Sequence, residues 1–190
     1  TSSVWSWWGA NKGPESRVPA GVCVSLVPPK MQFLSWLAWR GRIKTSLFLQ
    51  RIGVLPPNAE TQRVFCHSVV ESLEHALLLC PQVWKCWAAM ASGGDQKLVI
   101  PGTVEGLLHW WSRGIAKSWS DRAWQAVPAL VLWSVWKTRN ECLFKGETPD
   151  FAGLCDWMKL QIALWVIWSF KGDFSVHDIV SNLHQIRLLV

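Results

Sequence analysis

Tyrosine is missing from all 190 residues, although tryptophan occurs 16 times. Any catalytic signature built on a tyrosine is thereby excluded. Acidic residues are scarce, with 13 Asp and Glu against 19 Lys and Arg, and they form no carboxylate cluster of the kind that two-metal nuclease chemistry needs. No nucleophile motif is present, and His67, His109, His177 and His184 are scattered without a partner at catalytic spacing. An enzyme is not expected. Long apolar runs are lacking too. The two most apolar stretches, Ala123 to Trp136 and Leu160 to Phe170, fall short of the ~20 residues that span a bilayer. They are expected to be buried core helices, with no membrane partner. No charged segment leads into an apolar core and a small-residue cleavage site, so Cys23, Cys66, Cys80, Cys86, Cys142 and Cys155 are read as free thiols rather than a disulfide framework. An intracellular, non-secreted location is expected, the nucleus included.

Half of the residues are apolar, enough to bury a core as one domain or as one domain with a helical extension. Charge is unevenly placed. Residues 1 to 51 hold seven basic residues (Lys12, Arg17, Lys30, Arg40, Arg42, Lys44 and Arg51) against a single acid, Glu15, which accounts for the whole formal net charge of +6. The basic residues are densest from Arg40 to Lys44, as expected of a patch that contacts phosphates. Trp39, beside Arg40 and Arg42, is the best candidate for stacking on a base, which needs an exposed ring next to cations. Lys30, Trp39, Arg40, Arg42 and Lys44 are therefore the candidate nucleic-acid contacts, with RNA or DNA as partner through residues 30 to 51.

Downstream, the spacing of Cys and His suggests a metal. Eight residues separate Cys66 from His75, and four more separate His75 from Cys80. Structural zinc takes four Cys or His ligands in a tetrahedron, often one pair in a turn and one around a short helix. Three residues before Cys66, where the first Cys of a C-x-x-C turn would stand, the chain has Arg63. Cys66, His75 and Cys80 are the candidate ligands, and zinc the expected cofactor.

These features combine into a recognisable whole. The run Val27-Pro-Pro-Lys-Met-Gln-Phe-Leu-Ser-Trp-Leu-Ala-Trp-Arg-Gly-Arg-Ile-Lys-Thr45, then Leu49-Gln-Arg-Ile-Gly-Val-Leu55, then Cys66, Glu71-Ser-Leu-Glu-His75 and Cys80, resembles the reverse-transcriptase zinc-binding domain. That domain occurs in plant-type non-LTR (LINE-like) retrotransposon polyproteins and in host proteins derived from them. The Trp136-Lys-Thr-Arg-Asn140 segment followed by Phe144 resembles the helix that often follows it. The resemblance implies an accessory, non-catalytic domain that helps a reverse transcriptase hold nucleic acid. It carries Cys66, His75 and Cys80 over as ligand positions, with Arg63 in place of the family's first Cys. The Tyr-x-Asp-Asp signature that the resemblance associates with the polymerase is ruled out by the absence of Tyr. The principal alternative is a helical interaction protein that binds neither metal nor nucleic acid.

The fold expected is mainly α: short helices around a small zinc-ribbon-like turn, followed by a bundle of longer Trp-rich helices. Residues 1–25 are an irregular lead-in, 26–92 the zinc-binding-like domain, and 93–190 a helical C-terminal region. Helices are expected from Lys30 to Gly41, after a Thr45 N-cap, over Ser72 to Cys80, after Pro81, after a Thr103 cap, and from Ser120 or Asp121 to Phe144. The stripe Leu154, Trp157, Leu160, Leu164 and Trp168 predicts one further helix.

Overall fold

The computed structural model describes residues 18–19, 22, 24–57, 64–66, 71–91, 101–112 and 119–169. The expectations for Arg63, His67, the 92–95 loop and most of the lead-in fall outside these residues. The fold is mainly helical, with no strand among the described residues.

Helix α1 (Pro29–Trp39) begins on a proline, whose ring presets a helical φ and whose missing N–H costs nothing in the first turn. Ahead of it, the Gln32 amide donates to the carbonyls of Val24 (3.0 Å) and Val27 (2.6 Å), so a buried polar side chain folds the lead-in onto the helix. The helix stops at Gly41. There φ is 62°, Gly41 N–H donates to Ala38 and Arg42 N–H donates to Leu37 at 2.8 Å, the paired bonds of a left-handed glycine cap. A basic turn follows directly.

Helix α2 (Ser46–Arg51) is capped as the sequence suggests, with Thr45 Oγ1 accepting from Phe48 N–H at 3.2 Å. Thr45 is itself buried. Thr45→Ala should destabilise the protein by about 1 kcal/mol, measurable by urea unfolding, because it leaves a helix donor without its partner. Next come a π-helical turn (His75–Leu79), α3 (Pro81–Ala91), α4 (Val104–Trp111), α5 (Trp119–Lys145) and α6 (Phe151–Ser169). Thr103 caps α4 through Gly106 N–H at 3.0 Å, and Asp150 caps α6 through Gly153 N–H at 2.9 Å. Pro128 lies within α5, which runs on through it.

One continuous apolar core joins α1, the π-helical turn and α3 to α6, from Val22 through Leu77, Trp87 and Leu108 to Leu130 and Val166. It crosses residue 92 without a break. Helix α1 packs on α5, and α6 packs on both α3 and α5. Tryptophans form the centre: Trp87 and Trp111 are fully buried, the Trp111 and Trp124 rings stack at 4.5 Å, and Trp87 meets Trp111 at 5.7 Å. The indole N–H of both finds a carbonyl, Trp87 donating to Leu77 at 2.9 Å and Trp111 to Trp124 at 2.8 Å. That meets the condition under which a large amphipathic ring can be buried.

The further helix expected from the Leu154 to Trp168 stripe is α6. Trp157, Leu160 and Leu164 are 39, 39 and 37% exposed, while Met158, Ile162, Ala163 and Val166 are the residues that face the core. The helix is apolar on nearly every side, so large side chains recurring at helical spacing could not identify which side is covered.

Candidate metal centre and basic turn

Cys66, His75 and Cys80 converge. Cys66 Sγ lies 3.2 Å from His75 Nε2, and the three ligand atoms are all within 4.8 Å of one another. The corners of a zinc tetrahedron with Zn–S near 2.3 Å and Zn–N near 2.0 Å are about 3.5–3.8 Å apart. Two thiols and an imidazole at this separation suit zinc in both size and softness.

The π-helical turn makes the His75 and Cys80 spacing usable. On an α-helix two residues five apart point about 140° away from each other, since each step turns 100°. Here Cys80 N–H donates to His75 C=O at 3.1 Å, the wide i to i+5 closure that replaces the usual ladder. The ends of the turn meet on one side. Ser72 Oγ accepts from His75 N–H at 3.1 Å and holds the first of them.

Cys80 then sits at the start of α3. Burial pushes its thiol upward from the usual cysteine value, and hydrogen bonds from the Val83 and Gln82 N–H groups oppose that shift, while the neighbouring Cys66 adds to it. The N–H groups of the helix end offset part of that shift, but burial prevails and the thiol stays above its usual value. Cys86 stays out of the cluster: it is buried in the intact α3, with Cys155 Sγ at 3.7 Å.

Burial, and next the Cys155 thiol, push Cys86 up to about 12. Its folded-state value lies above the unfolded one, so its contribution to stability is complete below about pH 9 and is lost as pH rises towards about 12. Stability should fall over that alkaline range, and Cys86→Ala should flatten the decline in unfolding curves recorded at several pH values.

The basic residues fare differently from one another. Arg42 and Lys44 are exposed at the turn after α1, and Arg40 is half-buried with its guanidinium 5.7 Å from the Trp36 ring and 5.6 Å from the Trp39 ring. Lys30 is exposed, its ammonium 5.1 Å from the Trp133 ring. None of these four cations forms an ion pair with a described residue. Trp39 is corrected as a stacking residue. It is 5% exposed, it packs in the core, and its indole N–H donates to Glu105 Oε1 at 3.2 Å, so its faces are not offered to a base.

A buried ion pair joins the two regions, and neither partner was singled out as a site from sequence. Arg139 grips Glu71 with two bonds, Nε to Oε2 at 2.9 Å and Nη2 to Oε1 at 2.6 Å, with both side chains at most 5% exposed. Glu71 also accepts from Ser46 N–H at 3.3 Å, and its carbonyl accepts from Leu47 N–H at 3.4 Å. The end of the basic turn is thus tied to the residue four positions before His75, and both are tied to α5.

Residues 1–87 match a family model described as zinc-binding in reverse transcriptase. The match takes in the lead-in and the three converging ligands, and it ends before the Trp136–Asn140 segment of α5. No curated protein and no solved structure matches the chain. Among the described residues, no helix is long and apolar enough to cross a membrane.

Proposed function

We propose that the chain is a non-catalytic, retroelement-derived zinc-binding-type domain, of LINE-like ancestry, that binds nucleic acid inside the cell through its basic turn. The observation that carries this reading is the coupling of two features. A Cys66, His75 and Cys80 triad of metal-ligating character lies one hydrogen-bonded step from an exposed cationic turn, through Glu71 and Ser46. Cys66, His75 and Cys80 would hold the ion, which would supply a rigid crosslink between the 64–66 turn and the start of α3. Arg40, Arg42 and Lys44 would meet phosphates.

The test is a titration with single-stranded RNA at a series of salt concentrations. Each phosphate contact on a single strand contributes about −0.7 to the slope of log affinity against log salt, so Arg42→Ala combined with Lys44→Ala should flatten the slope by about 1.4. A salt-independent affinity, or no binding, overturns the reading. A helical interaction protein without nucleic-acid binding is the second reading, and the continuous Trp-centred core favours it, because that core is built without requiring a metal.

A further inference from the structure

We infer that Cys86 and Cys155 form a reversible disulfide site, whose closure staples α6 to α3 when the thiol and disulfide balance around the protein turns oxidising. It stands apart from the metal and nucleic-acid readings. Cys86 lies midway along α3 and Cys155 near the start of α6, 69 positions further on, yet their sulfurs are 3.7 Å apart. Both are free thiols. The ~2.05 Å of an S–S bond is within reach of side-chain rotation, because the two helices that carry the sulfurs already pack on each other.

Burial gives the two thiols different parts. Cys155 is half-buried, so a small reagent reaches it first, whereas Cys86 is fully buried. With a low-molecular-weight disulfide such as oxidised glutathione, the Cys155 thiolate attacks one sulfur of the reagent and expels the other half as a thiolate. The Cys86 thiolate then attacks Cys155 Sγ and expels the second half. Two protein thiols are oxidised to one disulfide, the reagent is reduced to two thiols, and the two protons leave with them. Burial holds Cys86 as the thiol, so the second attack is the slow one. The bond would close a loop of chain that contains α4 and α5 and fasten α6 over the core side of α3, where Trp87 lies. A crosslink across so long a loop takes much freedom from the unfolded chain. Cys66 and Cys80 are the rival pair, their sulfurs within 4.8 Å of each other, but they share their site with His75.

The experiment equilibrates the full chain in glutathione buffers of rising oxidised share, blocks the remaining thiols and reads intact mass, peptide maps and urea unfolding. The expected product is lighter than the reduced chain by two hydrogen atoms, carries the Cys86 and Cys155 peptides joined, and unfolds at a higher urea midpoint. Dithiothreitol should return both mass and midpoint to those of the reduced chain. Cys155→Ala should abolish the joined peptides and the raised midpoint, and Cys142→Ala should keep both. A glutathione adduct on Cys155 that never proceeds to the crosslink, a link between Cys66 and Cys80 in its place, or no crosslink at all overturns the site. A Cys86 to Cys155 link that lowers the midpoint overturns the staple, because the folded helices would then be unable to hold the bond without strain.

Discussion

Arg139→Ala should destabilise the fold by about 3–5 kcal/mol, a large share of the stability of a domain this size, with the loss visible as a lowered midpoint in urea unfolding. The guanidinium makes two bonds to Glu71 in a site from which water is excluded, and it lies 4.9 Å from the Trp136 ring. Removing it leaves a buried carboxylate whose remaining partner on these oxygens is a single amide at 3.3 Å. An uncompensated buried charge is far more costly than the pair it came from is favourable. Replacing both partners with apolar side chains, Glu71→Met with Arg139→Leu, should therefore recover most of the loss. If the double variant were no more stable than Arg139→Ala, the penalty would lie in packing rather than in the stranded charge.

Zinc affinity should rise on the order of 100-fold in Arg63→Cys. Four-ligand structural sites hold zinc with roughly 10–16 kcal/mol of apparent free energy, so one thiolate in four is worth about 3 kcal/mol. The substitution also exchanges a fixed cation, three residues before Cys66 in sequence, for a ligand that can become an anion. Competition against a chromophoric chelator measures it. Equal affinity in the parent chain would mean that three ligands and water already suffice. Cys80→Ser should reduce binding in both backgrounds, since it takes a thiol from the cluster, one of two in the parent chain.

Local features were legible in the sequence because their physics is local. Thr45 and Thr103 cap the helices they precede, and Pro29 and Gly41 bound α1, since each acts within a few residues of itself. The convergence of Cys66, His75 and Cys80 was anticipated from their spacing and from the family resemblance. What could not be seen was direction. Trp39 and Arg40 are neighbours in sequence, yet one step along a helix turns 100°, enough to send the first into the core and leave the second at its edge. Basic neighbours say nothing about where a ring points. On α6 the covered side could not be read for a related reason: with apolar residues nearly all round, only the packing of α3 and α5 decides it. The Glu71–Arg139 pair was invisible because 68 positions separate two residues that each look like ordinary solvated charges. The π-helical turn, too, has no composition signature of its own.

The unbroken core reaches well past the stretch that matches the family model. The recognisable stretch ends at Trp87, but Trp87 is fully buried, bears on Trp111 and sits in a helix that lies against α6. The stretch that matches the family model and the unit that folds do not coincide. A lineage that kept only the first 87 residues would have to find a new cover for the inner side of α3. Mutations in α5 or α6 can thus unfold the matching stretch without touching one of its residues.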